Sequence, residues 1–357
     1  MNFDVIKKAF SAMVAKLSSY AAIFKPSNLK ERGLKYSLVA FASLYLAIIT
    51  ALIFIWDSEP ELFDVKQVAL NRANDEAQLK LIGYTYTSTL IEIGETLLDK
   101  RGGYLSNDIT PPGVLLDNIP NWEFGALVVL RDATSSLRNH FSRSQSQSVE
   151  NIALSKADPQ FNFSNDSWIL PATESEYRDG IEQLLSFTQQ LSEKNANAQF
   201  FARADNLVKY LDIVEKRLGS LSQRLSASVG QVRVNTDLAG DSAATQSAST
   251  GSNVVVKTPW LEIDDIFYEA RGACWALYHV LSAVEHDFDG ILRKKNALIS
   301  LRQILRELES TQETTFSPMV MNGSGFGITA NYSLIMANYI ARANAAIIDL
   351  RSLLENG

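Results

Sequence analysis

The apolar residues of this chain fall into two patterns. Ser37 to Trp56 (SLVAFASLYLAIITALIFIW) runs for twenty residues without a charge. At ~1.5 Å per residue this is ~30 Å of helix, the thickness of a bilayer's hydrocarbon core. Tyr36 and Trp56 stand at its ends, where interfacial aromatics belong. No other stretch of this length is so uniformly apolar, so one span is predicted.

Elsewhere the apolar positions recur every three or four residues. Phe200, Ala204, Leu207, Leu211, Val214, Leu218, Leu221 and Leu225 form one such series. Ile263, Phe267, Ala270, Cys274, Leu277, Leu281, Val284, Phe288 and Ile291 form another. A period of 3.5 is the seam of a supercoiled helix pair. Between them Thr236–Asn253 contains GDSAATQSASTGSN, too poor in apolar groups to bury a core. The pattern predicts a long antiparallel hairpin with a mobile tip. Helical faces also appear at Leu79–Leu97, Phe124–Phe141, Tyr177–Leu191 and Met336–Leu354, with β alternation only at Val254–Val256. Thr173-Glu174-Ser175-Glu176 resembles a capping box opening the third of these. The expected fold is all-α: one N-terminal transmembrane helix, then an elongated helical bundle.

Charge orients the span. Lys25, Lys30, Arg32 and Lys35 precede it, and Asp57, Glu59, Glu61 and Asp64 follow it. The positive-inside rule makes residues 1–36 cytoplasmic and residues 57–357 external, the periplasm in a Gram-negative cell. The run is long for a signal-peptide core and no A-x-A-like site follows it, so an uncleaved signal anchor in the inner membrane is expected. Phe3, Ile6, Phe10, Met13, Val14 and Leu17 alternate with Lys7, Lys8 and Lys16. Residues 1–24 thus predict an amphipathic helix that lies on anionic lipid or packs on a partner protein. The net charge of −7 argues against nucleic acid as a partner.

Candidate chemistry is sparse. The single cysteine, Cys274, rules out an intrachain disulfide and falls on the seam, where it reads as core. His279 and His286 are seven residues apart, ~10.5 Å along a helix, too far to share one metal. In the heptad frame both point outward and read as solvated and dispensable, while His140 stands where a helix C-terminus favours its charged form. No H-E-x-x-H, G-x-S-x-G or Walker A motif occurs, and the one Ser-x-x-Lys, Ser27–Lys30, lies before the span. Paired acids could serve a glycosidase: Glu92, Glu95 and Asp99 share a helix, Glu174 and Glu176 open one, and Glu262, Asp264 and Asp265 open another. Each set also suits a solvated face or a helix start. No cofactor or metal is expected.

The phrases GGYLSNDITPPGVLLDNIPNWEFG (102–125), FSRSQSQS (141–148), SWILPATESEY (167–177), RLGSLSQRLSASV (217–229) and IARANAAIIDLR (340–351) are specific. They resemble a proteobacterial family of uncharacterised inner-membrane proteins defined by a domain of unknown function. The resemblance implies an envelope location and no reaction, cofactor or catalytic residue.

The leading expectation is therefore a membrane-anchored periplasmic interaction or scaffold protein, with an envelope protein or the cell wall as partner. Its candidate contact residues are Asn107, Asp108, Asp117, Asn118, Trp122, Arg143, Gln145 and Gln147, all in polar loops or at their edges. The alternative is a peptidoglycan-acting enzyme or carbohydrate-binding module using paired carboxylates, with Trp122 or Trp168 stacking on sugar. A signal transducer is a third possibility, against which residues 1–36 are short for an effector domain. A reporter active only outside the cytoplasm should be active when fused after Gly357 and silent when fused at Lys30; the reverse pattern would invert the topology.

Overall fold

A computed structural model describes residues 26–144, 149–193, 198–234, 253–315, 317, 319–324 and 328–356. The expected helix of residues 1–24, the loop from 236 up to Asn253, and the contact candidates Gln145 and Gln147 lie outside the described residues. The chain falls into two units, one ending at Trp56 and one beginning at Asp57. In the first, α1 (Pro26–Trp56) is interrupted at Gly33, and Tyr36–Trp56 is long and apolar enough to cross a membrane. Its large side chains, among them Phe41, Leu46 and Phe54, are exposed.

The second unit is built from α2 (Val65–Arg72), α3 (Tyr84–Asp99), α4 (Asn118–Ser136), α5 (Ile152–Phe161) and α6 (Thr173–Ser192). It continues with α7 (Ala204–Ser226), the antiparallel ribbon β1 (Gln231–Val234) and β2 (Asn253–Val256), then α8 (Ile263–Asp287). The last helices are α9 (Asp289–Lys294), α10 (Leu298–Ser310) and α11 (Tyr332–Asn356). All-α is therefore the class, with one two-stranded ribbon among the described residues. Helices α2, α5 and α10 are additions to the elements predicted from periodicity; α5 is short and carries Pro159.

The chain reverses between α7 and α8 through the ribbon, but the arms take their main partners elsewhere. Helix α7 lies chiefly on α11 and α8 chiefly on α4, with α3 and α10 also on α8. Every residue from Ala270 to Leu277 is buried. A helix covered all round sits at the centre of a bundle. The seam pattern marks only its large side chains, while Gly272, Ala273 and Ala276 leave room on the other faces for backbones to approach. At the α4–α8 crossing a Cβ on Gly272 would stand 1.9 Å from the Trp122 carbonyl oxygen, and one on Gly125 would stand 1.9 Å from that of Glu269.

Helix α3 begins at Tyr84 rather than Leu79, because Gly83 adopts φ +90° and turns the chain. Its opening, Tyr84-Thr85-Tyr86-Thr87-Ser88-Thr89, has the composition of a strand. Burial on neighbouring helices overrides that preference, and the Thr87 and Thr89 hydroxyls donate to the carbonyls of Gly83 and Thr85, each at 2.8 Å. Thr173 does not act as a capping box: it is the first residue of α6, and its hydroxyl donates to the carbonyls of Ser164 and Ser167.

The crossing yields a stability prediction. Gly272→Ala should lower the unfolding free energy by roughly 1–3 kcal/mol, the usual effect of overpacking. Gly290→Ala, whose Cβ would enter open space, should be neutral or slightly stabilising. Denaturation midpoints of the detergent-solubilised full chain check both.

Candidate functional site

The residues that follow Trp56 are fastened along α8. Arg271, Trp275 and His279 recur at intervals of four and so share one face of that helix. They hold Glu59, Glu61 and Phe63, which alternate along the non-helical strap of residues 58–64. The Arg271 Nε donates to Glu59 at 2.7 and 2.9 Å, and its Nη2 closes the ion pair. Its Nη1 donates to the carbonyls of Thr311 and Glu313 at 3.0 and 2.8 Å, tying in the end of α10. The Trp275 indole N–H donates to the Glu61 carbonyl at 3.2 Å.

His279 completes the series. Its Nε2 accepts the Phe63 N–H at 2.9 Å, so Nδ1 carries the proton and donates to the Trp275 carbonyl at 2.8 Å. Phe63 stacks on the imidazole with centroids 3.7 Å apart. Burial depresses the imidazolium form to a pKa of about 3, so the ring is neutral. The strap covers what the heptad frame leaves as an open outer face. His279 is thus fully buried rather than solvated, and it is a structural acceptor.

His286 is exposed, in keeping with the outward placement expected, and it is engaged rather than merely solvated. Its Nδ1 lies 3.0 Å from Asp287 Oδ1 and 3.1 Å from the Thr85 hydroxyl. The bond to Asp287 raises its pKa, against the opposing effect of burial. Asp287 also accepts the Tyr86 N–H at 2.8 Å, capping α3 from a neighbouring helix, and its own burial raises its carboxyl. An open cleft of about 740 Å³ beside His286 is lined by Lys66, Glu285, Asp289, Arg293, Arg302 and Glu309. Within it Arg293 pairs with Asp289 and Arg302 with Glu285. His140 departs from its dipole reading: burial first, then Lys209, lowers its pKa. Cys274 is a buried thiol pushed up to about 12.

The contact candidates separate. Trp122 is fully buried and packs on Trp275 with centroids 5.0 Å apart, so it neither meets a partner nor stacks on sugar. It lies on the α4 face that turns inward, and composition alone did not distinguish the faces. Asn107 is buried and donates to the Ser167 carbonyl and to Glu174. Asp108 and Arg143 are half-buried, and burial raises the Asp108 carboxyl. Asp117 caps α4, and Asn118 lies beside Asp57, whose carboxyl burial raises.

Several of the paired acids are engaged structurally. Arg72 binds both Glu92 and Glu95, and Arg178 pairs with Asp99. Asp265 accepts the Asn121 amide at 2.8 Å. Two residues unremarked in the pattern, Glu123 and Lys100, form a buried pair. Glu123 also accepts the N–H groups of Leu105 and Ser106 and so holds the loop after α3. Their signal was a charged residue inside an apolar helix face. Among the described residues no three His, Cys, Asp or Glu side chains group as metal ligands.

The exposed apolar residues lie elsewhere. Trp168, Ile169 and Leu170 expose 54%, 52% and 90% of their surface at the tip of the loop before α6.

Fold and site together define an all-α protein whose N-terminal helix can span a membrane and whose following strap is locked onto a central helix. The chain belongs to a family described as an uncharacterized protein conserved in bacteria (DUF2333), matched over residues 29–357. No curated protein and no solved structure matches it.

The neutral His279 sets a pH dependence. Its folded pKa lies below the ordinary 6.5, so the unfolded chain takes up the proton first, and stability falls as pH drops below about 6.5. The slope from this group should approach about 1.4 kcal/mol per pH unit. His286, with its raised pKa, acts in the opposite sense and above that window. His279→Gln, which keeps an acceptor for Phe63, should flatten the loss between pH 6.5 and 5 in urea titrations; an unchanged slope would contradict the assignment.

Proposed function

We propose that this chain is an interaction protein of the bacterial cell envelope that acts by holding a partner rather than by turnover. Residues 36–56 anchor it in the cytoplasmic membrane with the N-terminus inside, and the second unit faces the external side. The charge asymmetry across the span supports the orientation. The observation that carries the binding role is the Trp168–Leu170 tip.

That tip is held by a closed set of bonds. The Thr173 N–H and hydroxyl and the Asn107 amide all donate to the Ser167 carbonyl at 2.9 Å, and the Ser167 hydroxyl donates to Pro171 at 2.8 Å. A loop so constrained presents three large apolar side chains to water at little entropic cost on binding. Contiguous exposed apolar groups with a tryptophan are typical of protein contact points. The same exposed indole supports a second reading, a platform for a cell-wall sugar.

Photocrosslinking in cells, with a benzophenone side chain at Ile169, tests the choice. A discrete protein adduct is expected at Ile169, lost on Leu170→Asp and missing at the exposed control Ile348 on α11. Equal adducts at both positions would overturn the reading. Retention of isolated peptidoglycan that Trp168→Ala abolishes, without a protein adduct, would favour the sugar platform.

A further inference from the structure

We propose that Trp260, Leu261 and Met319 form a foot of the second unit, seated in the headgroup layer of the same bilayer that residues 36–56 cross; this rests on the anchor reading above. These side chains expose 75%, 77% and 65% of their surface. They converge with Asn118 and Tyr268 around one small cleft of about 110 Å³.

Their position is set by chain connectivity. The Asn118 side chain lies against the carboxylate of Asp57, and Asp57 follows Trp56 by one peptide bond. Consecutive residues are ~3.8 Å apart, so Asp57 and the side chain against it stay close to the end of the apolar span. The strap gives the direction. Glu59 lies at Arg271 and Phe63 at His279, so the strap runs parallel to α8 and enters at its N-terminal end. Trp260 and Leu261 stand in the short turn that opens α8.

The chemistry fits lipid. Tryptophan prefers the headgroup level of a bilayer, and leucine and methionine beside it supply the apolar area that an interfacial contact buries. The neighbouring charges, Asp57, Asp117, Asp264 and Asp265, would repel anionic lipid. The foot therefore suits zwitterionic headgroups.

Spin labels on single cysteines introduced into the full chain, reconstituted in phosphatidylcholine vesicles, test the foot. Cys274 is buried and its thiol stays protonated, so it does not compete for label. Leu261→Cys and, as a second site, Met319→Cys should show severalfold higher relaxation by oxygen than by a water-soluble nickel complex, compared with Ile299→Cys. Ile299 is exposed on α10, near the far end of α8, about 30 Å away by helix rise. Phe41→Cys reports the span itself. A lipid-exposed Phe41 label with Leu261 and Met319 labels in water overturns the foot alone. Labels at 261 and 319 shielded from both reagents would mean a protein contact, also overturning it. A water-exposed Phe41 label removes the anchor and the foot together.

Discussion

Four residues of α-helix rise ~6.0 Å and two residues of extended chain rise ~6.6 Å. Because these lengths nearly agree, three successive groups on one face of α8 can each meet every second residue of the strap. Arg271 takes the Glu59 carboxylate, Trp275 the Glu61 carbonyl, and His279 the Phe63 N–H. Pro60 assists, since a residue before proline is biased away from helix and stays extended. The segment leaving the span therefore has a fixed register on the helix at the centre of the second unit.

That register depends on α8 being immobile. The close approach at Gly125 and Gly272 leaves no slack between α4 and α8, and Trp122 backs Trp275 from the other helix. Phe63, His279, Trp275 and Trp122 form a continuous series of ring contacts, stacked at Phe63–His279 and edge-on or tilted beyond, running from the strap into the core. The Arg271–Glu59 and Lys100–Glu123 pairs are both largely removed from solvent. Pairs of this kind contribute little net stability once desolvation is counted, and their value lies in selecting one arrangement among many. Arg271 and Glu123 each also satisfy backbone groups of a loop, so misplacing either would leave several partners unmatched.

The histidines show how burial changes chemistry without changing sequence. His279 is neutral and spent on two fixed hydrogen bonds, while His286, seven residues on, is held toward its charged form by Asp287. Side chains of the type that usually carry catalysis are here joints between segments. The exposed apolar groups, by contrast, sit on bonded turns at Trp168–Leu170 and Trp260–Leu261.

The sequence by itself determined the helical class, the apolar span, the charge step across it and the seam residues of α7 and α8. Those features are local: a run of uncharged residues or a 3–4 spacing follows from neighbours along the chain. The structure decided which helices face one another, and with that which side chains are inside. Trp122, Asn107 and His279 read as surface groups because their burial comes from segments tens to hundreds of residues away. For His279 that segment is the strap at Phe63. The hairpin seam had the same difficulty, since an apolar stripe specifies that a partner exists and leaves open which helix it is. Small residues made α8 central, and glycine and alanine carry no polarity signal that a periodicity can detect. Packing in three dimensions, where backbones meet at Gly125 and Gly272, supplied what the pattern lacked.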